Sequence, residues 1–332
     1  MTAATESAFI FALTNPGSEN PLKQEAAAMQ LGWRPGYQRR GIVTFKVDRP
    51  FACDPLLAEL AFARRLCFSL GKAPNRDEAM ALLAARPEVE IIHEAKFHER
   101  KMQGLHPENA DIQPRPGQWV GTIVELAENE FWCGVHRHAR FLSPDPAGDG
   151  GLVMPERSPS RAWLKLEEAL RFFAVEISRR DVVVELGASP GGVVLALLDR
   201  GVPVIGVDPA KMSDVVMASA IESRAAAPAG RPWFYHCRKP AALVGKRDLG
   251  QGVTWFMSDM NQSPDVVLRE CARFCKMAPS IRNVLVTLKL TDQAQIVEKP
   301  KWFAALTGLG FREIRLQQFS VHHRELALLA IR

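Results

Sequence analysis

With 332 residues and a formal net charge of +5, the chain is long enough for two domains with a sizeable core, and too mildly basic for charge alone to name a polyanion partner. It contains no run of about eighteen apolar residues, which excludes a membrane-spanning helix, and Met1–Glu6 lacks the basic start and apolar centre of a signal peptide, so a soluble, cytoplasmic protein is expected. Six cysteines (53, 67, 133, 237, 271 and 275) are scattered through apolar surroundings, which fits reduced core thiols better than a disulfide framework or a metal site.

In chain order, Phe9–Leu13 reads as a strand, Asn20–Leu31 as an amphipathic helix, Gly41–Val47 as a second strand and Leu56–Ala61 as a helix. Ala63–Leu70 is either a third strand or an extension of that helix. This β-α-β-β-like pattern suggests a small ferredoxin-like module over residues 1–75. Glu78–Ala85 reads as a short helix, and Val89–His93, Trp119–Leu126 and Phe131–Phe141 as strands, so the whole amino-terminal half is α+β. Arg34, Arg39, Arg40 and Lys46 surround Trp33 and Tyr37, and His98, Arg100, Lys101, Arg137 and Arg140 add charge. Such residues could track phosphates while an aromatic ring stacks on an unpaired base; ordinary surface charge accounts for each cluster equally well. His136 and His138 alternate onto one face of the last strand, as a basic RNA-facing surface or a plain exposed one. The Pro/Gly/Asp-rich stretch Leu142–Gly151 is the expected domain boundary.

The second half has a different rhythm. Strands are expected at 182–186, 203–207, 232–235, 253–258, 283–288, 312–318 and 325–331, with helices at 191–199, 264–277 and 300–308, the βαβ order of a doubly wound sheet. The first strand runs into the turn Glu185-Leu-Gly187-Ala188-Ser189-Pro190-Gly191-Gly192. A dinucleotide turn is G-x-G-x-x-G, whereas here Pro190 offers no N–H and Glu185 would repel a phosphate and attract a cation. An amino-acid sulfonium fits that turn better than a diphosphate. The next strand ends in Asp208, placed to accept from ribose hydroxyls.

Four charged residues stand at the margins of apolar segments. Lys165 lies in an amphipathic helix spanning Ser160–Glu168, Asp259 follows Val253–Met257, Lys289 ends Asn283–Leu288, and Glu325 opens the last strand. A charge that interrupts an apolar run pairs with another charge or serves a function, and ligands of open α/β sheets bind at the carboxyl ends of strands, where Asp208, Asp259 and Lys289 would project.

In their order and local contexts (Trp163-Leu-Lys165-Leu-Glu, Ser258-Asp259-Met, Leu288-Lys289-Leu and His323-Arg-Glu325), with the turn Leu186–Gly192, these residues resemble the FtsJ-like (RrmJ-type) ribose 2′-O-methyltransferases and, within them, the RlmM-type enzymes of large-subunit ribosomal RNA. The resemblance covers roughly residues 155–332. It implies a Rossmann-like methyltransferase sandwich over 151–332 with an antiparallel last strand, S-adenosyl-L-methionine as cofactor and no metal. It also implies a Lys165-Asp259-Lys289-Glu325 tetrad, with Lys289 as general base removing the proton of a cytidine ribose hydroxyl. Glu185, Gly187, Ala188, Ser189, Pro190, Gly191, Gly192, Asp208 and Asp259 would hold the cofactor. Partners would be 23S ribosomal RNA or a precursor particle, met by a THUMP-like RNA-binding region over 76–150 beside the ferredoxin-like module. Two departures stand out: Ser189 replaces the usual cysteine, and no carboxylate follows Pro232–Tyr235 to meet the adenine amino group, leaving backbone groups near Cys237 for that contact. A methyltransferase of another substrate and a non-catalytic RNA-binding or assembly factor remain as alternatives.

Overall fold

Strands that range from fully exposed to almost wholly buried build one sheet in the first half of the chain, and short buried runs build another in the second. The computed structural model describes residues 8–47, 59–99, 101–106, 113–139, 142–228 and 230–332. By its contacts the chain forms two units. One comprises the chain up to Gly151 with Arg171–Ala174 and Gln317–His323; the other comprises Leu152–Leu170, Val175–Leu316 and Arg324–Arg332.

The first unit contains β1 (Phe9–Leu13), α1 (Glu19–Ala28), β2 (Arg34–Arg39), β3 (Ile42–Lys46), β4 (Arg65–Ala73), α2 (Arg76–Ala84), β5 (Val89–His98), β6 (Lys101–Leu105), β7 (Trp119–Ala127) and β8 (Glu130–Arg137). Its strands form one eight-stranded sheet in the order β2-β3-β1-β4-β8-β7-β5-β6. All pairs are antiparallel except β5 with β7. The ambiguous segment 63–70 is a strand, because Leu66, Cys67 and Phe68 are buried where β4 runs between β1 and β8. Of the helix expected over 56–61, residues 56–58 lie outside the described residues. Ala61 and Phe62 form a turn held by the Glu25 carboxylate, which accepts from their N–H groups at 2.8 and 3.1 Å. Strands β2 and β6 had not been expected: β2 is exposed at every position, so it carries no apolar alternation, and only its backbone pairing with β3 makes it a strand.

Several expected surface groups lie elsewhere. Trp33 is buried, tilted against Phe45 at 5.3 Å between ring centroids. Tyr37 stays exposed, stacks on Trp132 at 5.4 Å, and carries the Lys72 ammonium 4.3 Å from its ring centroid. His136 and His138 are buried, which corrects the expectation of an exposed basic face. Arg65 explains this: its Nη1 lies 2.8 Å from His136 Nε2, and its Nη2 donates to the carbonyls of Ser143 and Asp145 at 2.9 and 2.6 Å. The boundary loop is therefore partly interior, with Ser143 and Asp145 buried and the Asp145 carboxylate accepting from Arg171 Nε at 2.7 Å. Cys53, Arg100, Arg140 and Met1–Glu6 lie outside the described residues.

The second unit is built on α3 (Ala162–Phe173, up to Leu170), β9 (Val183–Leu186), α4 (Gly192–Asp199), β10 (Val204–Val207), α5 (Asp214–Met217), β11 (Phe234–Cys237), α6 (Lys246–Leu249), β12 (Trp255–Ser258), α7 (Pro264–Met277), β13 (Asn283–Lys289), α8 (Lys299–Thr307), β14 (Glu313–Gln317) and β15 (Glu325–Ile331). The seven-stranded sheet has the order β11-β10-β9-β12-β13-β15-β14. Strands β9 to β13 are parallel, and β15 runs antiparallel to β13 as expected. β9, β10 and β12 are buried along their whole length, as strands covered on both faces must be. Helix α7 buries Val267, Leu268, Cys271, Phe274 and Cys275, a helical stripe, behind Pro264 in its first turn. The order reverses at β9, with β10 on one side and β12 on the other, which opens a crevice at their carboxyl ends. Among the described residues no helix is long and apolar enough to cross a membrane.

The buried histidines of the first unit carry a pH consequence. Burial, and then the Arg65 charge, pull His93 down to about 3 and His138 to about 4, and hold His136 well below the ordinary value. All three fold neutral, whereas the unfolded chain takes up protons below about pH 6.5. Their contribution is thus fully present above that value and is lost as pH falls from about 6.5 toward 4. Urea midpoints followed by tryptophan fluorescence should fall steadily over this window and be flat above it; a midpoint unchanged across the window would refute the neutral buried set.

Candidate active site

Beyond β9 the chain turns sharply over Gly187–Gly191 into α4. Gly187 has φ +77°, and a Cβ there would lie 2.9 Å from Met260 N, so the backbone beyond β12 closes directly over the turn. Gly191 has φ +115° as the residue capping α4, and a Cβ would lie 2.9 Å from Val216 Cγ2. Asp208, just past β10, fixes the loop: its Oδ2 accepts from Ser189 N–H at 3.1 Å and its Oδ1 from Ala210 N–H at 2.8 Å. The Ser189 hydroxyl donates to the Lys211 carbonyl at 2.8 Å, the Pro190 carbonyl accepts from Ser213 N–H at 3.0 Å, and Ala188 is buried beneath. His236 Nε2 lies 2.9 Å from the Asp208 carbonyl oxygen.

On the other side of the switch, β12 ends at Ser258, and Asp259 N–H donates to the Leu186 carbonyl at 3.0 Å. Asp259 is the hub. Lys165 from α3 places Nζ 3.1 and 3.2 Å from its two carboxylate oxygens and 2.9 Å from Glu325 Oε2. Lys289 donates to the Asp259 main-chain carbonyl at 3.1 Å and stands 3.6 Å from its carboxylate. Lys289 and Glu325 are direct partners in the β13–β15 register. The four side chains, remote in sequence, are brought together with 16 to 23% exposure, enough for a substrate to reach them and too little for water to screen them fully.

Their electrostatics differ. Burial pulls Lys165 down, but the Asp259 and Glu325 carboxylates outweigh it and hold its ammonium above the usual lysine value. Lys165 is thereby committed to two acids, while Lys289 has a single, longer carboxylate contact and a neutral acceptor. Glu185, on β9 below the turn, is buried with Oε2 unpartnered. An unpartnered acid beneath a turn opened by glycines at both ends fits a ligand with a cationic, amino-acid-like end; it does not fit a diphosphate.

The sequence-expected site residues fall in this turn, against it (Glu185 on β9 and Asp208 past β10), or around Asp259. Sequence reasoning missed His236, Met212, Val216 and Met260, which brace the turn from other segments. A histidine in a strand and apolar residues in loops or a one-turn helix carry no local signal for that role. It also took Asp208 only as a ligand acceptor, whereas both carboxylate oxygens already hold loop amides.

Residues 158–285 match the FtsJ-like methyltransferase family, so the second unit is a Rossmann-like methyltransferase domain and its cofactor is S-adenosyl-L-methionine. Ribosomal RNA large subunit methyltransferase M of Marinobacter nauticus is 40% identical over 257 residues, covering 63% of this chain and 70% of that one. The chain belongs to the FtsJ-like family that this relative represents. The protein of the same name from Laribacter hongkongensis is 29% identical over 226 residues, covering 59% of this chain and 63% of that one. The chain spans about three fifths of the length of most curated relatives it matches. Among solved structures, a magnesium protoporphyrin IX methyltransferase from Synechocystis with S-adenosylmethionine bound has a TM-score of 0.35 at 14% identity, covering 52% of this chain and 79% of that one.

Gly187→Ala should lower stability by about 1–3 kcal/mol, since it combines a left-handed backbone with a contact against fixed main chain at Met260. Denaturant unfolding measures this; an unchanged midpoint would mean that the turn relaxes freely.

Proposed function

We propose that this chain is a cytoplasmic, S-adenosyl-L-methionine-dependent RNA ribose 2′-O-methyltransferase acting on a cytidine of large-subunit (23S) ribosomal RNA, free or in a precursor particle. The observation that carries the reading is the convergence of Lys165, Lys289 and, through Lys165, Glu325 on Asp259 at the carboxyl end of the parallel sheet. When bound, the cofactor supplies a sulfonium methyl that an oxygen nucleophile must approach in line with the departing sulfur, so orientation accounts for much of the rate. Lys289 Nζ takes the proton of the ribose hydroxyl as general base. Asp259 orients Lys289 and the hydroxyl, and Lys165 and Glu325 fix the amine and the ribose by hydrogen bonds. Glu185 faces the cationic end of the cofactor, Gly187 to Gly192 cradle it with backbone, and Asp208 accepts from its ribose hydroxyls with the lone pairs that the loop amides leave.

In this reading the amino-terminal half is the RNA-binding part, with a ferredoxin-like module over 1–75, a THUMP-like region over 76–150 and the catalytic domain over 151–332. Support comes from its exposed cations and aromatic: Arg34, Arg39 and Arg40 stand in or beside the exposed edge strand β2 with Tyr37 among them.

The test is methyl transfer from labelled cofactor to 23S RNA and to ribosomal particles lacking the modification, followed by nuclease digestion and mass spectrometry. The wild type should produce a ribose-methylated cytidine. Lys289→Ala and Lys289→Met should be slower by about 10²–10⁴-fold with cofactor affinity little changed. Retained turnover in these variants would sink the general base; a wild type that binds cofactor and methylates neither RNA nor particles would sink the substrate.

A further inference from the structure

Glu185 is unlike the other acids of the site. Its residue is 2% exposed, its Oε2 has no hydrogen-bond partner among the described residues, and the strand register sets it between Gly206 of β10 and Met257 of β12, neither of which carries a donor side chain. The charged groups that face it are Asp259 from the end of β12 and Asp208 from the end of β10, both acids. The cations nearby are engaged elsewhere: Lys165 and Lys289 are bound to Asp259, and Lys165 also to Glu325. A carboxylate in such a place would be a desolvated charge facing like charges, a costly state that is avoided by keeping the proton. Burial first, then Asp259 and Asp208, push its carboxyl well above the usual range.

We propose that Glu185 is a neutral carboxylic acid in the cofactor-free protein and gives up its proton when the cationic end of the cofactor enters, so that cofactor capture releases a proton. This rests on the cofactor-pocket reading given above and adds to it the protonation state of the receptor. The step balances simply: the carboxyl O–H breaks, its proton passes to solvent, and the carboxylate left behind faces the incoming positive charge. A neutral Glu185 tolerates the empty pocket, and an ionised one appears only with a countercharge present. Cofactor affinity therefore tightens as pH rises, by up to about tenfold per unit while the free carboxyl remains protonated.

The test is calorimetric titration of the full chain with S-adenosylmethionine at neutral pH in phosphate and in Tris buffer, whose ionisation heats differ. The wild type should release about one proton per cofactor bound, and Glu185→Gln, which keeps the shape without the titrating group, should bind more weakly and release none. S-adenosylhomocysteine, which keeps the ammonium and lacks the sulfonium, tells which charge draws the proton off; release with both ligands assigns the ammonium, and release with S-adenosylmethionine alone assigns the sulfonium. Binding by the wild type with no buffer dependence overturns the inference and leaves the pocket reading intact. Equal release by Glu185→Gln overturns it too, since another group would then be the source. If the wild type binds neither ligand, the pocket reading itself fails.

Discussion

One carboxylate answering two lysine side chains organises the site. Asp259 stands where β12 leaves the sheet, and it draws in Lys165 from a helix and Lys289 from the neighbouring strand. None of the three would be stable so far from water alone, because a partly buried charge without a partner costs more than its packing returns. Glu325 joins for a separate reason: antiparallel pairing of β15 with β13 sets it opposite Lys289, and its carboxylate reaches across to Lys165. Strand order and charge pairing therefore specify the same four positions, and a shift in either would leave a charge uncompensated.

The two lysines are held differently. Lys165 answers two carboxylates within 3.2 Å, which fixes it as an ammonium and as a strut. Lys289 has a main-chain carbonyl and a carboxylate at 3.6 Å, so it is oriented without being consumed. The acids divide similarly: Asp208 is used on loop amides, Asp259 and Glu325 on lysines, while Glu185 Oε2 meets no partner among the described residues. That last imbalance makes the turn receptive to a cation, and the glycines above it remove the side chains that would stand in the way.

Much of the second unit could be read residue by residue. Val204–Val207 is apolar throughout, and Val183–Leu186 is apolar but for Glu185, because both are covered on both faces, and a strand covered on both faces needs no long-range information to be recognised. The four charged residues were legible for the converse reason, as charges interrupting such runs. The first unit was less transparent. β2 has no apolar residue to bury and exists through its hydrogen bonds to β3, and His136 looked like surface because alternation cannot reveal a guanidinium arriving from β4.

By itself, then, the sequence determined the order of strands and helices in the second unit, the glycine-rich turn and the residue types of the site, all of which depend on local periodicity and on the steric freedom of single residues. Tertiary structure decided that eight strands of the first half share one sheet, that His136 is buried against Arg65, that Asp208 is bound by its own loop, and that Asp259 and Asp208 face Glu185. These depend on which distant segments meet, and the energy of a polar or charged group is settled by its neighbours in space, which no window along the chain contains.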